Sequence, residues 1–111
     1  MSELMANDVA KRLDISIRRL HYYDKMGLVT PRRKENGYRI YEEEDLNRLE
    51  VIIKYRQAKV PVKVIRELLK RPDYYDAKAM QEHLCKLENE KTNLQRSIDL
   101  TKQIIKQNGG A

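Results

Sequence analysis

Ser16-Ile17-Arg18-Arg19-Leu20-His21-Tyr22-Tyr23-Asp24-Lys25-Met26-Gly27 is the stretch on which the fold turns. Ser16 supplies the hydroxyl of a helix N-cap, and Gly27 the left-handed freedom that stops a helix, so a helix is predicted from Ser16 to about Met26. At 100° per residue, Arg18, His21, Tyr22 and Lys25 fall within about 100° of arc. Leu20 points roughly opposite, and Ile17 lies to one side of it. The apolar stripe is expected to dock on a preceding helix, Ala6 to Leu13, whose Ala6, Val9, Ala10 and Leu13 recur at helical spacing. Asp14-Ile15 separates the two, which makes a helix-turn-helix candidate. The outward face carries guanidinium, imidazole and phenol groups, donors suited to base edges and phosphates. An ordinary amphipathic surface helix would carry a similar face.

The next segment of chain sharpens the choice. Leu28 to Tyr41 reads as a hairpin, with Leu28-Val29 and Tyr38-Arg39-Ile40-Tyr41 strand-like and Pro31 tolerable at an edge. Between them runs Arg32-Arg33-Lys34-Glu35-Asn36-Gly37, a basic tip closed by Asn-Gly, a strong hairpin signal. Residues 11–39 hold nine Lys and Arg against three Asp and Glu, which is the whole of the chain's formal net charge of +6. A basic helix followed by a basic hairpin is a winged helix in outline, and its charge calls for a polyanion, nucleic acid before membrane.

Composition removes other classes. The chain has 111 residues, 36% of them charged and 41% hydrophobic, one domain's worth with room for a modest core and an appended helix. Its aromatic content is seven Tyr, with no Trp or Phe. No apolar run approaches the roughly 18 residues of a spanning helix, and Met1-Ser2-Glu3 lacks the basic and apolar regions of a signal peptide. A cytoplasmic protein without membrane attachment is therefore expected. One Cys and two His cannot build a four-ligand zinc site. His83 and Cys85 lie about 200° apart on a helix and form no nucleophile–base pair. With no Gly-rich phosphate loop either, no catalytic residue, metal or cofactor is expected, and the chain does not read as an enzyme.

Two further helices are predicted beyond the hairpin. One runs from Glu43 to about Ala58 with Leu46, Leu49 and Ile53 inward and acids at its N-terminal end; the other begins at Pro61, buries Ile65, Leu68 and Leu69, and ends at Pro72. From about Asp76 to Gln107 neither Pro nor Gly occurs, which allows a helix roughly 48 Å long. Steps of three and four connect Ala77, Met80, Leu84, Leu87, Lys91, Leu94, Ile98, Thr101 and Ile105. All but Lys91 and Thr101 are apolar, the pattern of a coiled-coil seam. A lone helix has nothing to bury that stripe against, so dimerisation is the simplest expectation, with packing on a domain outside this chain as the alternative. The predicted organisation is a DNA-binding domain at 1–72, a dimerisation helix at 73–107 and a linker or chain end at 108–111.

Val9 to Leu69 resembles the DNA-binding domain of the MerR family of bacterial transcription regulators. The residues that carry the resemblance are Arg18-Arg19-Leu20-His21-Tyr22-Tyr23-Asp24, then Gly27-Leu28, then Gly37-Tyr38-Arg39-Ile40-Tyr41, with Asp45-Leu46 and Ile65-Arg66-Glu67-Leu68-Leu69 completing it. The long helix matches the family's dimerisation helix. Three positions depart from the pattern: Asp14 and Lys59 stand where Gly is common, and Glu42 where a Ser cap is common. Asp tolerates the left-handed conformation better than most residues, so the turn is expected to survive.

The resemblance implies a mostly helical fold: a winged helix-turn-helix with a small hairpin wing, then a long helix pairing as an antiparallel coiled coil. It further implies a homodimer on a pseudo-palindromic promoter, bending and untwisting the spacer for RNA polymerase. An effector would act through a C-terminal domain beyond this chain. The DNA-binding residues expected are Ser16, Arg18, Arg19, His21, Tyr22, Arg33, Tyr38, Arg39 and Lys59. Arg18, His21 and Tyr22 are assigned to the groove, and Arg33, Tyr38, Arg39 and Lys59 to the backbone. Met80, Leu84, Leu87, Lys91, Leu94, Ile98 and Ile105 are expected to dimerise. Metal-sensing relatives carry Cys-bearing loops that this sequence lacks, and Pro72-Asp73-Tyr74-Tyr75 looks more like the multidrug- and thiopeptide-responsive branch. Two other readings compete: an architectural DNA factor of excisionase or packaging type, which generally lacks the long helix, and a pure coiled-coil interaction protein, against which the basic wing counts.

Overall fold

In the computed structural model, which describes residues 3–109, the expected helices form with small shifts at their ends. Helix α1 spans Ala6–Leu13 and α2 Ile17–Lys25. Ser16 caps α2, its hydroxyl accepting from the Arg19 N–H at 3.0 Å. The turn between the helices is set by Asp14, at φ 56° and ψ 48°. The left-handed conformation that Gly would supply is thus taken by one of the few other residues that tolerate it. Gly27, at φ +74°, ends the second helix.

The sheet differs from the expected hairpin. Leu28 and Val29 are buried but not in a strand. The strands are β1 (Leu4–Met5), β2 (Arg32–Arg33) and β3 (Arg39–Tyr41), in the order β1-β3-β2 and antiparallel throughout. Leu28-Val29 reads as strand because it is apolar and partly β-branched, yet its side chains are consumed by the core at 0% and 1% exposure. Strand β1, too short to show any period, pairs Leu4 with Tyr41 and Met5 with Ile40. The wing tip closes with Lys34 N–H donating to Tyr38 O at 2.8 Å and Gly37 N–H to Lys34 O at 2.9 Å. Gly37 takes φ +87°, so the tip is a three-residue loop with a left-handed Gly rather than a two-residue Asn-Gly turn.

Helix α3 spans Glu43–Gln57 and α4 Val62–Leu68. Leu46, Leu49 and Ile52 are the buried side of α3; Ile53, assigned there from spacing, is only half-buried. Pro61 stands as the N-cap of α4 rather than its first residue, and the helix ends at Leu68, before Pro72 is reached. The Glu42 side chain makes no cap hydrogen bond, while Asp45 accepts from the Glu42 N–H at 2.9 Å, the reciprocal half of a capping box. Val9, Leu20, Leu28, Tyr41, Leu49, Ile52, Val60 and Ile65 are all 0% exposed and form the core beneath α2. Each aliphatic member stabilises the fold by about 1.5–3 kcal/mol. Two arginines then hold the end of α2 in place: Arg66 donates to Met26 O at 2.7 Å and Arg48 to Leu28 O at 2.6 Å.

The chain divides into two units between Tyr75 and Asp76. The second contains helix α5 (Ala77–Gln107), capped by the Asp76 carboxylate, which accepts from the N–H groups of Lys78 and Ala79. None of the helix's residues is buried. Of the linker or chain end expected at 108–111, Asn108 caps the end of α5, and residues 110 and 111 lie outside the described residues. Among the described residues no helix is long and apolar enough to cross a membrane.

Tyr41 offers a test of the core. Its hydroxyl is buried with no hydrogen-bond partner among the described residues, and burial pushes its pKa up to about 12. The folded state therefore disfavours the phenolate: stability is fully present below pH 10 and falls as pH rises from 10 towards 12. Tyr41→Phe removes an unsatisfied buried group, and is expected to be neutral or stabilising by about 1 kcal/mol at pH 7. Urea melts between pH 7 and 12 should show a shallower alkaline loss for the variant than for the parent.

Candidate nucleic-acid interface

The site is built from one face of α2 and the wing. Leu20 and Tyr23 anchor α2 at 0% and 3% exposure, which turns Arg18, Arg19, Tyr22 and Lys25 outward. Tyr22 is 45% exposed, and its ring sits 6.0 Å from that of buried Tyr23. Ile17 departs from expectation. Its spacing assigns it to the apolar stripe docking on α1, but it is 39% exposed. It lines an open groove beside Met5, Ala6 and Asn7 at the start of α1, while Leu20 and Tyr23 are the buried residues of α2.

His21 is half-buried. Its pKa is lowered chiefly by desolvation, then by the Arg39 charge, against an opposing pull from Asp24 and a further push from Arg33. At neutral pH it is thus a neutral imidazole with one donor and one acceptor nitrogen, able to meet either kind of base edge.

The wing meets the helix through Asp24. Its carboxylate accepts from Arg39 Nε at 2.5 Å and from Arg33 Nη2 at 3.3 Å. The Asp24 side chain is only 14% exposed, whereas Arg33 remains 50% exposed and also donates to Gly37 O at 3.2 Å. Neighbouring strand residues point to opposite faces, so Arg32 turns the other way. It pairs with Glu3 at 2.6 Å and Glu42 at 3.2 Å. One arginine of the tip is thereby tied into the sheet, and the other is held on the helix side with its guanidinium half free. Tyr38, 61% exposed, stands beside them.

Lys59 lies apart from the wing, in the loop between α3 and α4. It is exposed and held at φ +63°, where Gly is common in the pattern this chain resembles. A non-Gly residue there costs about 1–2 kcal/mol. A groove of about 540 Å³ beside the helix-turn-helix is lined by Asp14, Arg19, Tyr22, Tyr23 and Arg56. Arg56, absent from the expected set, donates to Val60 O at 2.8 Å and adds a second cation to Arg19 there. Asp24 is also absent from that set; the acid closing the Tyr22-Tyr23-Asp24 string is the signal that could have found it. Ser16, Arg18, His21, Tyr22, Arg33, Tyr38 and Arg39 thus gather about α2 and the wing, with Arg19 on the groove side. Among the described residues, no cluster of three or more His, Cys, Asp or Glu could hold a metal.

Asp24→Asn tests the link between wing and helix. It removes one negative charge beside two guanidiniums and releases both. Affinity for random duplex DNA at low salt is expected to rise, while the ratio of specific to random affinity falls, as read by fluorescence anisotropy across a salt series. Lys59→Gly separates strain from function. The fold should gain about 1 kcal/mol in urea melts, because Gly relieves the left-handed strain, while the salt slope of DNA binding drops by about one.

Comparison with known proteins agrees with this geometry. Residues 4–72 match the model of the MerR HTH family of regulatory proteins. The HTH-type transcriptional regulator SkgA of Caulobacter vibrioides is 32% identical over 106 residues, covering 95% of this chain and 42% of that protein. The chain thus spans about two fifths of that relative's length. The structure of MtaN, the N-terminus of the Bacillus subtilis multidrug transporter activator, superposes with a TM-score of 0.81 at 28% identity, covering 92% of this chain and 97% of that one. HiNmlR, a MerR-family regulator lacking the sensor domain and bound to promoter DNA, gives a TM-score of 0.60 at 25% identity, with 94% and 79% covered. All three bear the names of regulators or activators. With its winged helix-turn-helix, long C-terminal helix and family match across 4–72, the chain belongs to the MerR family of transcription regulators.

Proposed function

We propose that the chain is the DNA-binding and dimerisation part of a regulator that binds a pseudo-palindromic promoter as a homodimer and bends and untwists its spacer. The observation that carries the reading is helix α5, 31 residues long without one buried residue. Leu84, Leu94, Ile98 and Ile105 are 40–63% exposed along the seam, and Met80 and Leu87 are half-buried. Such a stripe is stable in water only against a partner, and a second copy supplies a matching one. The Thr101 hydroxyl donates to Ser97 O at 2.7 Å, so it can enter the seam satisfied.

A stiff antiparallel pair would fix the separation of two recognition helices. DNA whose half-sites do not match that separation must deform to engage both, and the deformation is the regulatory event offered to RNA polymerase. Arg18, His21 and Tyr22 read the groove, while Arg33, Tyr38, Arg39 and Lys59 hold the backbone. An effector acts through sequence beyond this chain. The domains are 1–72 for DNA and 73–107 for dimerisation.

Lys91 is the charged residue of the seam. Its stem packs while the ammonium reaches towards Glu88 or Glu90 of either chain, fixing alignment at some cost in stability. Lys91→Leu should tighten the dimer. Leu87→Asp should break it and abolish binding to a two-half-site operator; an intact dimer of Leu87→Asp at micromolar concentration in analytical ultracentrifugation contradicts the seam.

A further inference from the structure

Ile17 is an anomaly on a face otherwise made of polar-tipped side chains. Among the described residues of the first unit, the exposed large hydrophobics are Ile17, Tyr22, Tyr38 and Tyr75, so Ile17 is the aliphatic one. It begins α2 from the N-cap at Ser16, one turn before His21 on the same side. Together they line a groove of about 440 Å³ with Met5, Asn7, Tyr38 and Arg39. The groove is thus apolar at Ile17 and Met5 and polar around them, and cationic at the Arg39 edge.

That combination restricts the occupant. The surrounding charge selects a polyanion: Arg18 follows Ile17 directly, and Arg33 and Arg39 are held on the wing by Asp24. Side chains in the first turn of a recognition helix are the ones that reach base edges. The major groove of duplex DNA presents one apolar group to them, the C5-methyl of thymine. We propose that Ile17 is a specificity-determining residue that packs on a thymine methyl in each half-site, with His21 hydrogen-bonding a base one helical turn away. This assignment rests on the DNA-binding reading of the chain.

The test uses the full chain and an operator selected with it from a random duplex library. Each thymine of a half-site is replaced in turn by deoxyuridine, which removes the methyl and leaves the hydrogen-bonding edge intact. One position per half-site should weaken binding about fourfold, the effect of withdrawing one methyl group from an apolar contact. Ile17→Ala should lower the ratio of operator to random affinity and lose sensitivity to deoxyuridine at that position; Ile17→Val should retain part of it. Far-ultraviolet circular dichroism confirms that each variant is folded. The proposal is overturned if no deoxyuridine matters, or if Ile17→Ala keeps the full penalty, since another group then reads the methyl. Failure to bind any duplex, random ones included, overturns the DNA-binding reading as well, whereas random binding with methyl-blind selection overturns the Ile17 assignment alone.

Discussion

One carboxylate joins the two halves of the candidate interface. Asp24 lies near the end of α2, 14% exposed, and accepts from Arg39 and Arg33 on the two paired strands of the wing. Without it, two guanidiniums and the His21 ring would share a small region with nothing to balance them. The contacts differ in strength. Arg39, 23% exposed, is shielded enough for the pair to resist salt, whereas Arg33 at 50% is closer to an ordinary surface pair. The stronger contact orients the base of the wing, and the weaker leaves the tip arginine free to exchange partners with a phosphate.

The same logic sorts the other cations. Counting charge along the sequence treats every arginine alike, but the fold does not. Arg48 and Arg66 donate to Leu28 O and Met26 O and so anchor the end of α2, while Arg32 is divided between Glu3 and Glu42. Arg18, Arg19, Lys25 and Lys59 remain exposed on the surface. Within residues 11–39 the charge of Arg32 is thus offset by Glu3 and Glu42 from outside that stretch, and the field presented outward is more local than the total suggests.

Two positions show stability yielding to placement. Lys59 keeps a left-handed backbone that its side chain disfavours, and Ile17 leaves an aliphatic group in water. Neither improves the isolated fold. Helix α5 presents the same situation at larger scale, since no member of its apolar repeat is buried in a single chain. Such departures concentrate at surfaces meant for something else.

The left-handed turn at Asp14 is legible through the family pattern, in which Gly is common at that position. The helices and the exposed apolar stripe of α5 are legible from residue order alone, because caps, 3.6-residue periodicity and Gly placement act within a few residues of one another. Helix α1 and the Ser16 cap are readable for that reason. Of the strands, β3 is legible in Tyr38-Arg39-Ile40-Tyr41, and the other two are not. Leu28 and Val29 have the side chains of a strand and are claimed by the core, while β1 exists through its pairing with β3. Nor does periodicity turn Ile17 outward or Ile52 inward in place of Ile53, since those choices depend on which neighbour fills the space first. The Asp24 contact spans 15 residues to Arg39 and 9 to Arg33, distances no local pattern encodes. Which charges meet is settled by packing, because pairing follows separation in space rather than along the chain.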